Sequence, residues 1–362
     1  MPGTQVDVQA ATRVTTDSLR RYGIEAFTRA GLPEEGAAEV TEVQLEANLR
    51  GQPTHNMGGV PGYCKRMRGG MINTRPRFAI LRESPLSLQL DGDNGPGQWV
   101  GATAMRHAIR KARAGGVGIV VALHSNHYGA AGHYAWMAAQ EGLIGLTTTN
   151  GGLVLAPWGG ITPTFGNNPL GVGVPSGRHP PIVLDIAMSV VAQGKTALAI
   201  AEGKPIPLGW LFNKNGQLTT DPADFREGFG VPIAEHKGYG LALVMEVLAG
   251  VLSGAGFCRD HEREITRGQD RAPDLGHFFL AINPELFMPR AEFQARVDRM
   301  VDAVKSSDLA PGTKEVLLPG EIEMRNRAAN LAAGTVPLLP STHKALLAYR
   351  EEAELTAELA EA

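Results

Sequence analysis

Only two cysteines, Cys64 and Cys258, occur in the 362 residues. Their wide spacing forms neither a Cys-x-x-Cys site nor a disulfide framework, and it suits a reducing cytosol. Excess charge of one sign is also missing: 34 Lys and Arg against 37 Asp and Glu leave a net charge of -3. With no basic stripe, there is no electrostatic case for nucleic acid or an anionic membrane surface. No apolar run reaches the roughly 18 residues of a membrane span. The longest, Leu241 to Leu252, is interrupted by Glu246 and Gly250 and is expected as a buried helix. The start of the chain, MPGTQVDVQAATRV, lacks the charged-then-apolar pattern of a secretory leader. The expectation is a soluble, cytoplasmic protein acting on a small molecule. The usual dinucleotide fingerprint is absent as well. Gly95-x-Gly97-x-x-x-Gly101 has the wrong spacing, and Gly238-x-Gly240 lies inside a helix start. An ordinary Rossmann reading is disfavoured, and neither a P-loop nor a G-x-S-x-G elbow occurs.

What remains is a chain of ordinary composition, with 43% hydrophobic and 20% charged residues. Its length suggests two domains. Its 45 glycines and 24 prolines are spread as short turn signals. The N-terminal part reads as helical. Thr16-Asp17 can cap a helix to about Ala30, ended by Gly31, and Leu32-Pro33-Glu34-Glu35 starts a second. A Gly- and Pro-rich loop, 51–62, follows, and then a short helix near 63–69. The middle alternates. Strands are expected at 86–90, 117–123, 144–149, 170–174, 182–184 and 277–282. Helices are expected at 99–114, 130–140, 189–202 and 236–252. Helices return at 290–305, 321–333 and 341–359, the last running into an acidic tail. The expected fold class is α/β: a helical domain of 1–85 with 290–362, and an inserted sheet domain of 86–289. A cleft between them is the default site.

Several residues there could carry chemistry. Thr54-His55 sits in the glycine-rich loop, which can aim an imidazole at a cleft. Histidine suits proton donation near neutral pH, although a surface-loop histidine is the more ordinary reading. His124, His127 and His133 follow a β-branched strand. Their spacing fits no strong zinc pattern, so no metal is expected, and Asn126 and His127 could instead meet a small molecule. Asp185 stands at a strand end, where it could orient a histidine or hold a ribose, or cap a helix at Ser189. His236-Lys237-Gly238 opens a helix whose free N–H groups, dipole and lysine suit a phosphate. Pro319-Gly320-Glu321 makes a similar turn.

Taken together, these segments resemble the type-2 malate/L-lactate dehydrogenase family. The matching pieces run in family order: Leu49-Arg50-Gly51 with Thr54-His55, His124 to Gly132, Ala156 to Gly160, Gly166 to Pro169 and Leu184 to Ser189. Pro205-Ile206-Pro207 with Gly209-Trp210, Thr219 to Pro222, His236 to Gly240, Gly276 to Phe279 and Pro319 to Glu321 complete the set. The resemblance implies a non-Rossmann, sheet-based cofactor domain inserted into a helical domain built from both chain ends. It also implies a homodimer, and NADPH or NADH as cofactor. Relatives include sulfolactate and ureidoglycolate dehydrogenases and Δ1-piperideine-2-carboxylate reductase, so the implied reaction reduces a C=O or C=N bond alpha to a carboxylate-like group. By the same resemblance, His55 looks like the general acid, in a relay with Thr54 and Asp185. His127 looks like a residue at the nicotinamide or substrate. Asp185, Ile186, Ala187, Met188 and Ser189 resemble the cofactor loop, and Lys237, Gly238, Pro319, Gly320 and Glu321 resemble further dinucleotide contacts. The family loop reads Ser-His-Gly with an arginine four residues after the histidine, where it clamps the substrate carboxylate. This chain has Thr54-His55-Asn56, with Gly59 at the arginine position, and Gly62 replaces a commonly basic residue. Asn56 and Gly59 therefore face the substrate question. Either another base substitutes, or the substrate is bulkier, or it lacks a free carboxylate there. Two glycines would also widen the pocket.

Overall fold

The computed structural model describes residues 11–261 and 273–361, without the side chains of residues 193, 197, 198, 201 and 202. The first ten residues, on which part of the leader reading rests, lie outside this range. In chain order the elements are β1 (Thr12–Thr15), α1 (Thr16–Arg29), α2 (Glu34–Leu49), α3 (Val60–Arg68), β2 (Ala79–Glu83), β3 (Ser87–Asp91), α4 (Gly97–Gly115) and β4 (Val117–Ser125). There follow α5 (Ala131–Gln140), β5 (Ile144–Thr149), β6 (Leu170–Val174), β7 (Ile182–Ile186), α6 (Gln193–Glu202), β8 (Leu211–Phe212), β9 (Leu218–Thr219) and β10 (Phe229–Gly230). The remainder is α7 (His236–Glu246), β11 (Leu275–Ile282), α8 (Arg290–Lys305), α9 (Glu321–Ala333), β12 (Thr335–Leu338) and α10 (Pro340–Glu352).

Seven strands form the main sheet, in the order β2-β3-β4-β11-β5-β6-β7. Only β3 and β4 run parallel, joined by α4, and every other pair is antiparallel. That is a mixed α/β architecture, unlike the parallel sheet of a doubly wound nucleotide fold. The alternation Leu88, Leu90 and the β-branched run in β4 bury one side chain in two against α4 and α5. Gly118 lets α4 approach closely, since a Cβ there would fall 2.0 Å from the Ala108 carbonyl oxygen. A second core gathers residues of α1, α2 and α3 with Val336, Leu338, Leu346 and Tyr349. The two chain ends thus share one core, and β1 pairs with β12 to zip them together.

Four local expectations need correction. The side chain that caps α1 is Thr15, which accepts from the Ser18 amide; Thr16 already has helical backbone. No helix spans Ser189 to Ala192: Ser189 instead bridges to Pro232, and α6 starts at Gln193. The apolar run from Leu241 is not buried. Leu241, Val244, Val247 and Val251 are 43%, 51%, 46% and 51% exposed along one side, because only the opposite stripe meets the sheet. The acidic tail does not continue α10. Leu355 and Leu359 are buried, and the Glu25 carboxylate accepts the Thr356 and Ala357 amides. The sequence reading also omits β1, β2 and β12, together with the two-residue strands β8 to β10, which are too short for a periodic signal.

Candidate active site

His55 is set in place by the end of α2. Asn330 and Asn326 of α9 donate to the Leu49 and Arg50 carbonyls, which fixes where the helix stops. Beyond it, the Asn48 side chain accepts the Met57 amide, and Asn56 caps the following turn through the Gly58 amide. Between these anchors His55 takes a left-handed φ of 64°, an uncommon state for a side chain with a Cβ. The strained loop holds the imidazole out of the surface, where it is solvent-accessible yet closely walled by protein.

Three groups meet the His55 ring. Thr54 Oγ1 lies 3.0 Å from His55 Nδ1. The His127 ring stacks on it, with centroids 5.2 Å apart and planes 18° from parallel. The Asp185 carboxylate, on edge strand β7, attracts its charged form. Burial pushes His55 down from the ordinary histidine value, and Asp185 partly opposes this. Asp185 is pushed up by burial, against hydrogen bonds from the Gly132 amide and the Gln52 side chain and the attraction of His55 and Arg50. Thr54 and His127 thus touch the His55 ring, and Asp185, expected in a relay with His55 and Thr54, lies close enough to act on it electrostatically. Asp185 belongs to β7 and caps no helix.

His127 is held from behind by Tyr63 of α3, whose hydroxyl is 2.5 Å from His127 Nδ1. Burial holds His127 down to about 3 and lifts Tyr63 to about 12, so both are neutral near pH 7. The phenol and Nδ1 share one hydrogen bond, which leaves Nε2 of His127 free of it. The three histidines of this region do not converge. His124 pairs with Asp91 at 3.0 Å on the surface, and His133 lies beside Trp136, 6.0 Å between ring centres. Among the described residues no group of three or more His, Cys, Asp or Glu could hold a metal.

Behind Asp185 lies a charge cluster that sequence reasoning missed. Arg50 is buried, 3.5 Å from Glu46, and Arg327 bonds Glu46 with contacts of 2.8 and 2.9 Å. Both guanidinium groups lie 4.7 Å from the Trp136 ring centre. The Glu46–Arg50 spacing of four was its only visible signal. A cavity of about 70 Å³ separates Arg50, Gln52 and Asp185 from Gly320.

The remaining expected residues lie along one continuous track. Gly320, with φ of 76°, packs on the Val183 carbonyl of β7, and Val183 donates to the Pro319 carbonyl. Ile186 to Ser189 continues from β7, with Met188 bonded to Asn167 and Ile233. Ile233 in turn abuts Gly238, where a Cβ would fall 1.9 Å from its carbonyl oxygen. Lys237 is exposed at the first turn of α7, a helix start with no side-chain cap. Glu321 carries a different load: its carboxylate bonds Lys305 at 2.7 Å and the Leu318 amide at 3.0 Å. Gly59 has no vacant space beside it, because a Cβ there would lie 2.9 Å from the Tyr63 ring, whereas Gly62 is open. The expected widening is therefore absent at Gly59.

The family model described as malate/L-lactate dehydrogenase matches residues 14–347. The chain belongs to this family. Malate dehydrogenase of Pyrococcus horikoshii is 37% identical over 317 residues, covering 85% of this chain and 87% of the relative. Its solved structure superposes with a TM-score of 0.87, covering 98% of this chain and 99% of that one. L-sulfolactate dehydrogenase of Methanocaldococcus jannaschii is 38% identical, covering 86% and 89%. Ureidoglycolate dehydrogenase (NAD(+)) of Escherichia coli O157:H7 is 32% identical, covering 85% and 88%. The protein is thus an oxidoreductase of the dehydrogenase type, and no helix among its described residues is long and apolar enough to cross a membrane.

Proposed function

We propose that this protein reduces the C=O bond of a 2-oxo acid, or the C=N bond of its cyclic imine counterpart, with NADH as hydride source and His55 as proton donor. The observation that carries the reading is the stacked His55–His127 pair with Thr54 and Asp185 on the outer imidazole. Negative charge gathers on oxygen as hydride arrives at carbon. An imidazolium at that oxygen neutralises it in the transition state. Asp185 favours the protonated ring against burial, and Thr54 fixes the ring through Nδ1, leaving Nε2 to donate. Nε2 of His127 supplies a second polar group for substrate.

Residues present fit a dinucleotide. The uncapped start of α7, with exposed Lys237 and the close turn at Gly238, suits a diphosphate. The stretch Ile186 to Ser189 leads from there towards Asp185, and Pro319 and Gly320 offer backbone at the other end. Bound NADH supplies the hydride. The E. coli ureidoglycolate dehydrogenase is NAD(+)-dependent, which favours NADH over NADPH here. The exposed row Leu241, Val244, Val247 and Val251 supports a homodimer through α7. We also propose the division into a helical domain of 1–85 with 290–362 and a sheet domain of 86–289, with the site in the cleft between them. A cytoplasmic setting belongs to the same reading.

Nicotinamide absorbance tests this directly, with NADH and NADPH run separately against 2-oxo acids and cyclic imino acids. His55→Ala is expected to lower kcat by about 10²- to 10⁴-fold. Turnover indifferent to that substitution, or a protein that binds neither cofactor, overturns the reading.

A further inference from the structure

The loop that carries His55 presents little with which to hold an anion. Gly58, Gly59 and Gly62 contribute no side chains, and Tyr63 fills the space at Gly59. One turn further along α3, on the same side as Tyr63, stands Arg66. Its Nη2 reaches Asn126 Oδ1 at 3.3 Å, a long contact. Its Nε is buried and has no hydrogen-bond partner. Asn126 cannot easily move to improve the bond, since its amide donates to Asn94 and Gly95. Asn126 also directly precedes His127, whose ring stacks on His55.

Resting on the 2-oxo acid reading, we infer that Arg66 is the specificity-determining residue that receives the substrate's carboxylate, doing from α3 what Gly59 cannot. A buried guanidinium N–H without an acceptor is costly, and a planar carboxylate meets the fork with two parallel bonds. The charge also reaches the right place: Arg66 acts electrostatically on both His127 and Tyr63. A carboxylate on Arg66 would leave the adjoining carbonyl near the two imidazoles.

The probe is oxamate, an unreactive isostere of pyruvate, with oxamide as its counterpart lacking a carboxylate. Binding to the NADH complex is measured by calorimetry for the full chain and for Arg66→Met and Arg66→Lys. Turnover of 2-oxo acids is followed in parallel. Arg66→Met is expected to weaken oxamate by about 10- to 100-fold, with NADH affinity and oxamide binding unchanged. Arg66→Lys, which keeps the charge but loses the fork, should recover part of this, and it carries the test if the methionine variant does not fold. A purely structural Arg66 would shift NADH affinity and KM together. Equal oxamate affinity in all three proteins overturns the inference while turnover by the parent upholds the reductase reading. Failure of the parent to bind oxamate also overturns it. Arg66-dependent binding without turnover upholds the inference and sinks the reductase reading.

Discussion

Gly132→Ala isolates the geometry of the relay from its chemistry. Gly132 is the second residue of α5, and its missing Cβ would lie 2.9 Å from Asp185 Cβ and 3.0 Å from Oδ2. Ordinary contact begins near 3.4 Å, so Asp185 must retreat by about 0.5 Å. It cannot do so by rotating alone, because its Cβ is fixed to β7. Misplacement by about 1 Å costs on the order of 10²-fold in rate. Half that displacement gives about 10-fold, or about 1.4 kcal/mol of barrier. Stability should respond less. Alanine gains up to about 1 kcal/mol over glycine in a helix, while overpacking costs about 1–3 kcal/mol. Steady-state reduction kinetics beside a thermal melt separate the two effects. The expected result is a kcat about tenfold lower, an unchanged KM for NADH and a folded protein. Because Gly132 acts through Asp185, the double variant with Asp185→Asn should be no slower than Asp185→Asn alone. A kcat untouched by Gly132→Ala, or an additive double variant, refutes the reasoning.

Other consequences are equally concrete. On the proposed role, reduction needs protonated His55, which burial lowers from the ordinary 6.5. Hence kcat/KM for reduction should be at its plateau in acid and fall as pH rises through a midpoint below 6.5, whereas a rate that climbs with pH across that window contradicts the role. Glu46→Gln removes the shared partner of Arg50 and Arg327, and the uncompensated buried charge should cost about 3–5 kcal/mol, read from the denaturant midpoint. Val244→Asp with Val247→Asp places two carboxylates on the exposed apolar row of α7. Light scattering should then report a monomer, and an unchanged mass would rule out that face.

Much of the frame is legible from periodicity. The boundaries of β5, β6, α8 and α9 follow from apolar spacing and turn residues, and both chain ends read as helical before their shared core is visible. The site divides differently. Thr54, His55, His127 and Asp185 stand out because each belongs to a loop or strand end with recognisable chemistry. Arg50, Gln52, Tyr63 and Arg66 do not, since each lies in or near a helix whose pattern merely says amphipathic. Their importance comes from pairing across 60 or more residues, as Arg66 with Asn126 or Tyr63 with His127, and one-dimensional patterns carry no such information. The exposed run in α7 fails for a related reason: hydrophobicity reports that a face is to be covered, not which molecule covers it.

The charges gathered around Asp185 balance one another. Glu46 and Asp185 are anionic, and Arg50 and Arg327 cationic, so the four sum to zero when Asp185 is ionised. Arg50 is the member that faces both carboxylates, and its attraction lowers Asp185 while burial raises it. Were Arg50 absent, desolvation would raise Asp185 further. Arg50 opposes that desolvation at Asp185, and the Asp185 charge in turn opposes it at His55. When its proton leaves, His55 returns to the neutral form that burial prefers, so the environment that depresses His55 also drives the transfer. Desolvation thus moves the two neighbouring groups in opposite directions, Arg50 countering it at Asp185 and Asp185 countering it at His55, and the net lowering of His55 is what makes its imidazolium a stronger acid than the free ring.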